Sequence, residues 1–431
     1  MDAVNRNEDH DMQLKRIAHA ALLLAGLALS GQALAEKQRL EFWTQSLAPK
    51  FDPYFKNLVA KYNAANPNVE VVWVDYPWDV IRTKFTAAIA SGKPPALANM
   101  DVPWAYEYKQ SGLILPLDNL IDKNQYVAGA VKDVTFDGKL YAIPFYNGAN
   151  VIAYNTELFK KAGLDPKLPP KSFDMQLSYA KTIKARTGVA GFAPTLGPTK
   201  IEGLLIQEGL DVMKDGRAVF NSPEHVAFVR KLADAYKAGA LLKDNLFAQD
   251  NFQVSMAAYN SGRMAMLVTV PAALTRVRDD APNIYKVTDA AGAPLGKSGI
   301  ASGGWQFTFV VPRNVDPKLV PEVAKLGSYL TNAENQLAFS KFAGTLPTSK
   351  RAAMDAHFQT LPANAGAVEK GLVAAAKNLD VTRTIFLAGV KDAELLSTKL
   401  SAAIEQAVTG RKDAKVALDE AAAFWNQKLG K

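Results

Sequence analysis

The alternation of apolar and polar positions first becomes regular at residues 39–44 (RLEFWT), a short run that reads as a β-strand. Phe51, Phe55, Leu58, Val59 and Tyr62 then recur at helical spacing, and Asn66-Pro67 closes that helix. Residues 69–74 (VEVVWV) are dense in β-branched side chains and read as a second strand. A helix follows over residues 79–91, with Val80, Ile81, Phe85, Ala88 and Ile89 on one side and Gly92 as its stop. Pro94-Pro95 leads into a short apolar strand at residues 96–100. Strands alternating with helices in this way predict an α/β fold, a parallel sheet covered by helices.

Further along, Asp137-Gly138 is a hairpin signal between residues 134–136 and 140–143. A second α/β stretch begins at residues 151–154, with helices expected at 172–186, 223–237 and 252–260. Gly262 marks a helix stop before a strand at 264–269. Residues 289–304, rich in Gly, Pro and Ala, read as a loop, and residues 306–311 as a strand. Helices occupy the remainder. There is no sustained heptad, low-complexity segment or short-period repeat.

The N-terminus carries an address. Lys15 and Arg16 form a basic head, residues 17–29 are apolar apart from His19, and residues 30–35 (SGQALA) end in the small-x-small pattern of a secretory cleavage site. Cleavage is expected after Ala35. The polar stretch 1–11 suits a signal head poorly, so Met12 is a rival start to Met1. The apolar run is shorter than the ~20 residues of a membrane span. The 431 residues contain no cysteine, which removes disulfides, thiolate metal sites, cysteine nucleophiles and the lipid-bearing cysteine of an anchored lipoprotein. A soluble, periplasmic, monomeric protein is the expectation, large enough for two or three domains. The net charge of +8 is dispersed, with no arginine-rich block, and nucleic acid is not expected as a partner.

Several short segments, taken in order, resemble the family 1 extracellular solute-binding proteins of ABC importers, in particular the sugar-binding branch. They are FWTQ at 42–45, ASGKPP at 90–95, DGKLYAIP at 137–144, YNTELF at 154–159, KAGL at 161–164, GRMAM at 262–266 and TGRKDAKVALDEA at 409–421. The resemblance spans residues 40–429, essentially the whole mature chain. One departure is Ala96, where the family usually has an aspartate of mostly structural role. The resemblance implies a two-lobed periplasmic binding protein fold with discontinuous lobes joined by a hinge. One lobe would be residues 36–146 with 300–355, the other 147–299 with 356–431, and the ligand would lie between them. It also implies an inner-membrane ABC permease as partner, powered by a cytoplasmic ATPase.

A sugar needs aromatic rings under its C–H faces and planar polar side chains at its hydroxyls. The loops after the expected strands supply such mixtures: Trp43 and Gln45, Trp78, Asp101 and Trp104, Tyr146 and Asn147, Gly304 and Trp305. Some have competing structural roles. Trp43 alternates with Phe42 and also suits a core, Trp73 and Trp425 read as packing residues, and Asp101 before Pro103 also suits a helix cap. Arg383 is added by the resemblance, since relatives often contribute to the cleft from that region.

Enzyme readings find little. His10 and His19 leave with the signal, while His225 and His357 lack paired metal-ligand spacing, so no zinc or other metal is expected. No G-x-S-x-G elbow occurs. Residues 291–298 (AGAPLGKS) approach a phosphate loop but have Ala291 in place of its first glycine. Of the cleft loops, only Asp79 and Asp101 offer carboxylates, with no spacing rule to make them a glycosidase pair. The function expected is periplasmic capture of a mono- or oligosaccharide, without a cofactor. The rivals are a binding protein for a phosphorylated polyol, an exported carbohydrate-cleaving enzyme, and a module that feeds a membrane sensor.

Overall fold

The computed structural model describes residues 37–431. The export signal and its cleavage site therefore lie outside the described residues. The chain enters as β1 (Gln38–Gln45), followed by α1 (Asp52–Ala65), β2 (Val69–Tyr76), α2 (Trp78–Ala90), β3 (Leu97–Asp101) and α3 (Val102–Gln110). Phe55, Leu58 and Tyr62 form the buried stripe of α1, and Ile81 and Phe85 that of α2. Gly92, at φ +73°, ends the second helix as the pattern predicted. Asp137 and Gly138 both have positive φ, the requirement of a tight hairpin turn, and they join β4 (Thr135–Phe136) to β5 (Lys139–Leu140).

The chain continues through β6 (Ile143–Gly148), β7 (Val151–Asn155), α4 (Phe173–Thr187), α5 (Ile201–Gln207), α6 (Pro223–Lys237) and α7 (Phe252–Asn260). It then forms β8 (Met266–Thr269), β9 (Thr288–Gly292), β10 (Ala301–Ser302), β11 (Trp305–Val310), β12 (Leu346–Pro347) and β13 (Thr382–Arg383), with helices over the C-terminal part.

Two sheets organise these elements. The larger has the order β12-β6-β11-β3-β1-β2. Its β1, β2 and β3 are parallel, as the strand–helix alternation implies, but β11 runs antiparallel to both β3 and β6. The sheet is thus mixed, not purely parallel. The smaller sheet, β8-β7-β9, is antiparallel throughout. Residues 289–304, expected to be a loop, contain most of β9 and all of β10. Ala and Gly have weak strand propensity, and here tertiary pairing overrides it: Ala290 and Ala291 sit opposite Ala153 and Ile152. Helix 367–377 packs closely over this sheet, where a side chain on Gly371 would lie 2.9 Å from Leu274 and 3.7 Å from Ala290.

The buried apolar residues divide accordingly. One core joins residues 40–146 to 307–339. Two adjoining cores join residues 149–290 to segments between 346 and 425. The molecule has two lobes, and the chain passes between them three times, once through β6 into β7, once through β10 into β11, and once after helix 333–343. Among the described residues, no helix is long and apolar enough to cross a membrane.

Candidate functional site

The strand ends and crossing segments bound a cavity of about 850 Å³ between the lobes, at the upper end of the ~300–1,000 Å³ usual for small-molecule sites. Asp101 and Trp104 line it from the first lobe, Gly304, Trp305 and Phe307 from the crossing strand, and Glu202 from the second lobe.

Asp101 ends β3 and caps α3, its Oδ1 accepting the Trp104 N–H at 2.8 Å. Burial pushes its carboxyl up to about 6, against the opposing pull of that hydrogen bond and of Arg82 and Lys200. The cap fixes Trp104 at the start of its helix, and the Arg82 guanidinium lies 5.0 Å from the Trp104 ring.

A run of aromatic rings forms one wall. Trp78 stands 5.1 Å from Phe307, Phe307 stands 5.4 Å from Trp305, and Tyr146 backs both at 5.1 and 5.7 Å. The Trp305 ring lies directly over Gly148, where a Cβ would stand 2.4 Å from its Cε2 and Cζ2. That glycine is the seat of the ring. A Cβ on Gly304 would stand 2.3 Å from Thr382 Cγ2, so its small size serves the packing of the crossing segment as well as access to the cavity.

Of the ten residues the sequence nominates, Asp101, Trp104, Gly304 and Trp305 line this cavity and the others are placed elsewhere. Trp43 is 5% exposed in the first core, edge-on to Tyr76 and Phe85, with Nε1 donating to Glu41 at 2.6 Å. Both faces of β1 are covered, so alternation puts Phe42 and Trp43 equally into packing. Gln45 is fully buried next to that core and away from the cavity. Tyr146 lies behind the aromatic wall as its support. Asn147 borders a separate void of about 20 Å³ with Gln306. Trp78, 45% exposed, continues the aromatic wall outside the cavity. Arg383 turns away from the cavity, its Nη1 donating to the Thr382 carbonyl at 2.8 Å and its charge falling on Asp133. The packing readings of Trp73 and Trp425 agree with the structure: Trp73 stacks on Phe55, and Trp425 donates to the Leu396 carbonyl from a buried position.

Sequence reasoning missed the second-lobe wall. Glu202 on α5 is 2% exposed, and burial raises its carboxyl above the usual range. Gln207, one turn on, accepts both the N–H and the hydroxyl of Ser302 at 2.9 Å, tying α5 to the crossing segment. The signal for Glu202 was available: it is a lone carboxylate between Ile201 and Leu204-Leu205 in an otherwise apolar turn. Glu107, Asp250 and Glu394 add carboxylates at exposed positions, and among the described residues Lys200 is the only cationic side chain lining the cavity. No group of His, Cys, Asp and Glu suited to a metal occurs among the described residues.

Residues 57–366, most of the chain, match the family described as bacterial extracellular solute-binding protein. The chain belongs to that family. This solute-binding protein is 27% identical over 447 residues to the sn-glycerol-3-phosphate-binding periplasmic protein UgpB of Salmonella typhimurium, covering 96% of this chain and 97% of that one. Its fold is similar to that of a periplasmic-binding protein from Synechococcus sp. MITs9220, with TM-score 0.78 and 26% identity over 91% of this chain and 99% of the other. It is also similar to the cyclic alpha-maltosyl-1,6-maltose binding protein from Arthrobacter globiformis, with TM-score 0.74, 21% identity, and the same 91% and 99% coverage. The fold is that of the two-lobed periplasmic binding proteins, and the protein is the solute-binding component of an ABC importer. Proteins of this family bind their solute outside the cytoplasm and deliver it to the permease.

Proposed function

We propose that this protein captures an uncharged mono- or oligosaccharide in its interlobe cavity and, as a soluble periplasmic monomer released by cleavage after Ala35, hands it to an inner-membrane permease. The observation that carries this reading is the pairing of aromatic rings, Trp104, Trp305 and Phe307, with the half-buried Asp101 and fully buried Glu202 and, among the described residues, no buried cation on the lining. Sugar faces stack on such rings, and carboxyl groups accept sugar hydroxyls. The lobes, residues 36–146 with 300–355 and 147–299 with 356–431, each hold part of these contacts. A ligand touching both favours the closed arrangement by its greater affinity for it.

A phosphorylated polyol is the second reading, favoured by the likeness to the Salmonella sn-glycerol-3-phosphate-binding protein. The cavity argues against it. Among the described residues, a dianion would sit among carboxylates with the exposed Lys200 as the one cationic side chain on the lining, while Arg82 lies behind Trp104 and Arg383 is turned elsewhere. Intrinsic tryptophan fluorescence, titrated with neutral sugars, polyols and polyol phosphates and paired with a melting scan, separates the two. Saturable binding of a neutral sugar without product formation supports capture. Response to phosphorylated compounds alone replaces the ligand class, and turnover of chromogenic glycosides brings back the enzyme reading.

A further inference from the structure

Three buried side chains on the second lobe line the cavity with polar atoms left open. They are Gln176 on α4, Glu202 on α5 and Thr269 at the end of β8, exposed by 2%, 2% and 4%. The atoms concerned are Gln176 Nε2, both carboxyl oxygens of Glu202, and Thr269 Oγ1. Buried polar atoms almost always have a partner, because leaving one unpaired forfeits its hydration with nothing in return. Gln207 Oε1 is already held by Ser302. The Ser397 hydroxyl accepts the Thr199 N–H and has one proton to give, enough for only one of the two Glu202 oxygens, so the other stays open to a solute. Unpaired buried side chains also occur away from the cavity, at Gln45, Asn99 and Asn147; what sets Gln176, Glu202 and Thr269 apart is that three different elements bring them to the lining of one cavity, where a solute can reach them.

We propose that this wall is a polyol-recognising subsite in which Gln176, Glu202 and Thr269 take hydroxyls of the bound solute and set its specificity. The inference rests on the carbohydrate reading and deepens it. The open inventory contains a pure donor, the Gln176 amide nitrogen, a carboxyl group that accepts, and a hydroxyl that does both. A phosphate dianion offers only acceptors, so it would leave Glu202 unmatched and repelled. An ammonium offers only donors and would leave the Gln176 N–H unmatched. Sugar hydroxyls donate and accept at once, and they alone of these three chemistries satisfy the whole set. The aromatic rings of the first lobe and crossing strand would hold the ring while these groups read its hydroxyl pattern.

The test is isothermal titration of the purified protein and of E202M, Q176L and W305A with maltose, trehalose, cellobiose, raffinose and sn-glycerol 3-phosphate, with melting scans of every unliganded variant. The expected result is that a neutral sugar binds the wild type and that E202M and Q176L each weaken it about tenfold or more. If the sugar binds both variants as tightly as wild type while W305A loses it, the subsite is overturned and the carbohydrate reading stands. If only sn-glycerol 3-phosphate binds the wild type, both fall together. If none of the five probes binds, the unliganded melting temperature decides. A group kept unpaired for a ligand costs stability, so E202M melts above wild type if the subsite is real, and at or below it if Glu202 is a structural group. Should E202M fail to fold, E202Q, which keeps the volume and removes the charge, is read by the same criterion.

Discussion

Replacing Gly148 by alanine should disable the site without touching the ligand. Gly148 is not among the positive-φ glycines, so alanine is acceptable to the backbone there. The added Cβ would stand 2.4 Å from two ring carbons of Trp305, whereas carbon atoms rest at about 3.5–4.0 Å. The ring must therefore retreat by about 1 Å or more from the place it holds against Tyr146 and Phe307. A tryptophan buries about 150–250 Å², and losing roughly a third of that contact with a stacked sugar uncovers about 50–80 Å². At ~25 cal/mol per Å² this is about 1.3–2 kcal/mol, or a loss of roughly 10- to 30-fold in affinity. Calorimetric titration with the sugar identified by fluorescence measures it, W305A sets the limit of complete loss, and near-ultraviolet circular dichroism reports the ring's displacement. The reasoning is refuted if G148A binds within about twofold of wild type while W305A does not bind, because the position of the ring would then be irrelevant.

Other consequences can be checked in parallel. Asp101 has its pKa raised to about 6 by burial; the unfolded chain gives up this proton first, so the associated stability is present at low pH and lost as pH rises through about 6. Asp133, Glu202 and Glu208 shift in the same direction, so the comparison must be with D101N, which keeps the helix cap: the melting temperature of wild type minus that of D101N should fall between pH ~4 and ~7, and a flat difference would contradict the burial argument. W78A, which removes the exposed end of the aromatic wall, should weaken a trisaccharide by about 3- to 10-fold more than a disaccharide, as measured by titrating both, and equal losses would deny Trp78 an outer contact. Affinity for a neutral sugar should change less than about twofold between ~50 and ~500 mM salt, whereas a steep decline would indicate an anionic ligand. Intact-mass measurement of the exported protein should give Glu36 as its first residue, and a mass retaining residues 1–35 would refute cleavage after Ala35.

The chain's local pattern determined a good deal by itself. The alternating and 3.6-period stretches from β1 to β3 match the structure to within a residue or two, because strand and helix periodicity come from backbone geometry that each segment carries with it. Asp137-Gly138 made its hairpin, since the two residues tolerate the positive φ values the turn requires. Asp101 before Pro103 capped its helix for equally local reasons. The two-lobed fold was legible through the order of short segments along the chain.

What only the tertiary structure decided is which side of each element meets the cavity. Trp43 and Trp305 both stand in strands beside aromatic neighbours, yet one is sealed between sheet and helix and the other lines the cavity, because their surroundings are supplied by chain far away in sequence. The antiparallel insertion of β11 beside β3, and the strand formed by Ala290 and Ala291 against β7, likewise depend on partners more than a hundred residues distant. Gln176, Glu202 and Thr269 lie tens of residues apart on two helices and a strand, with no shared spacing to join them. Their common property, burial on the cavity lining with polar atoms left open, exists only once the lobe has folded around them, since in the extended chain water satisfies every polar group alike.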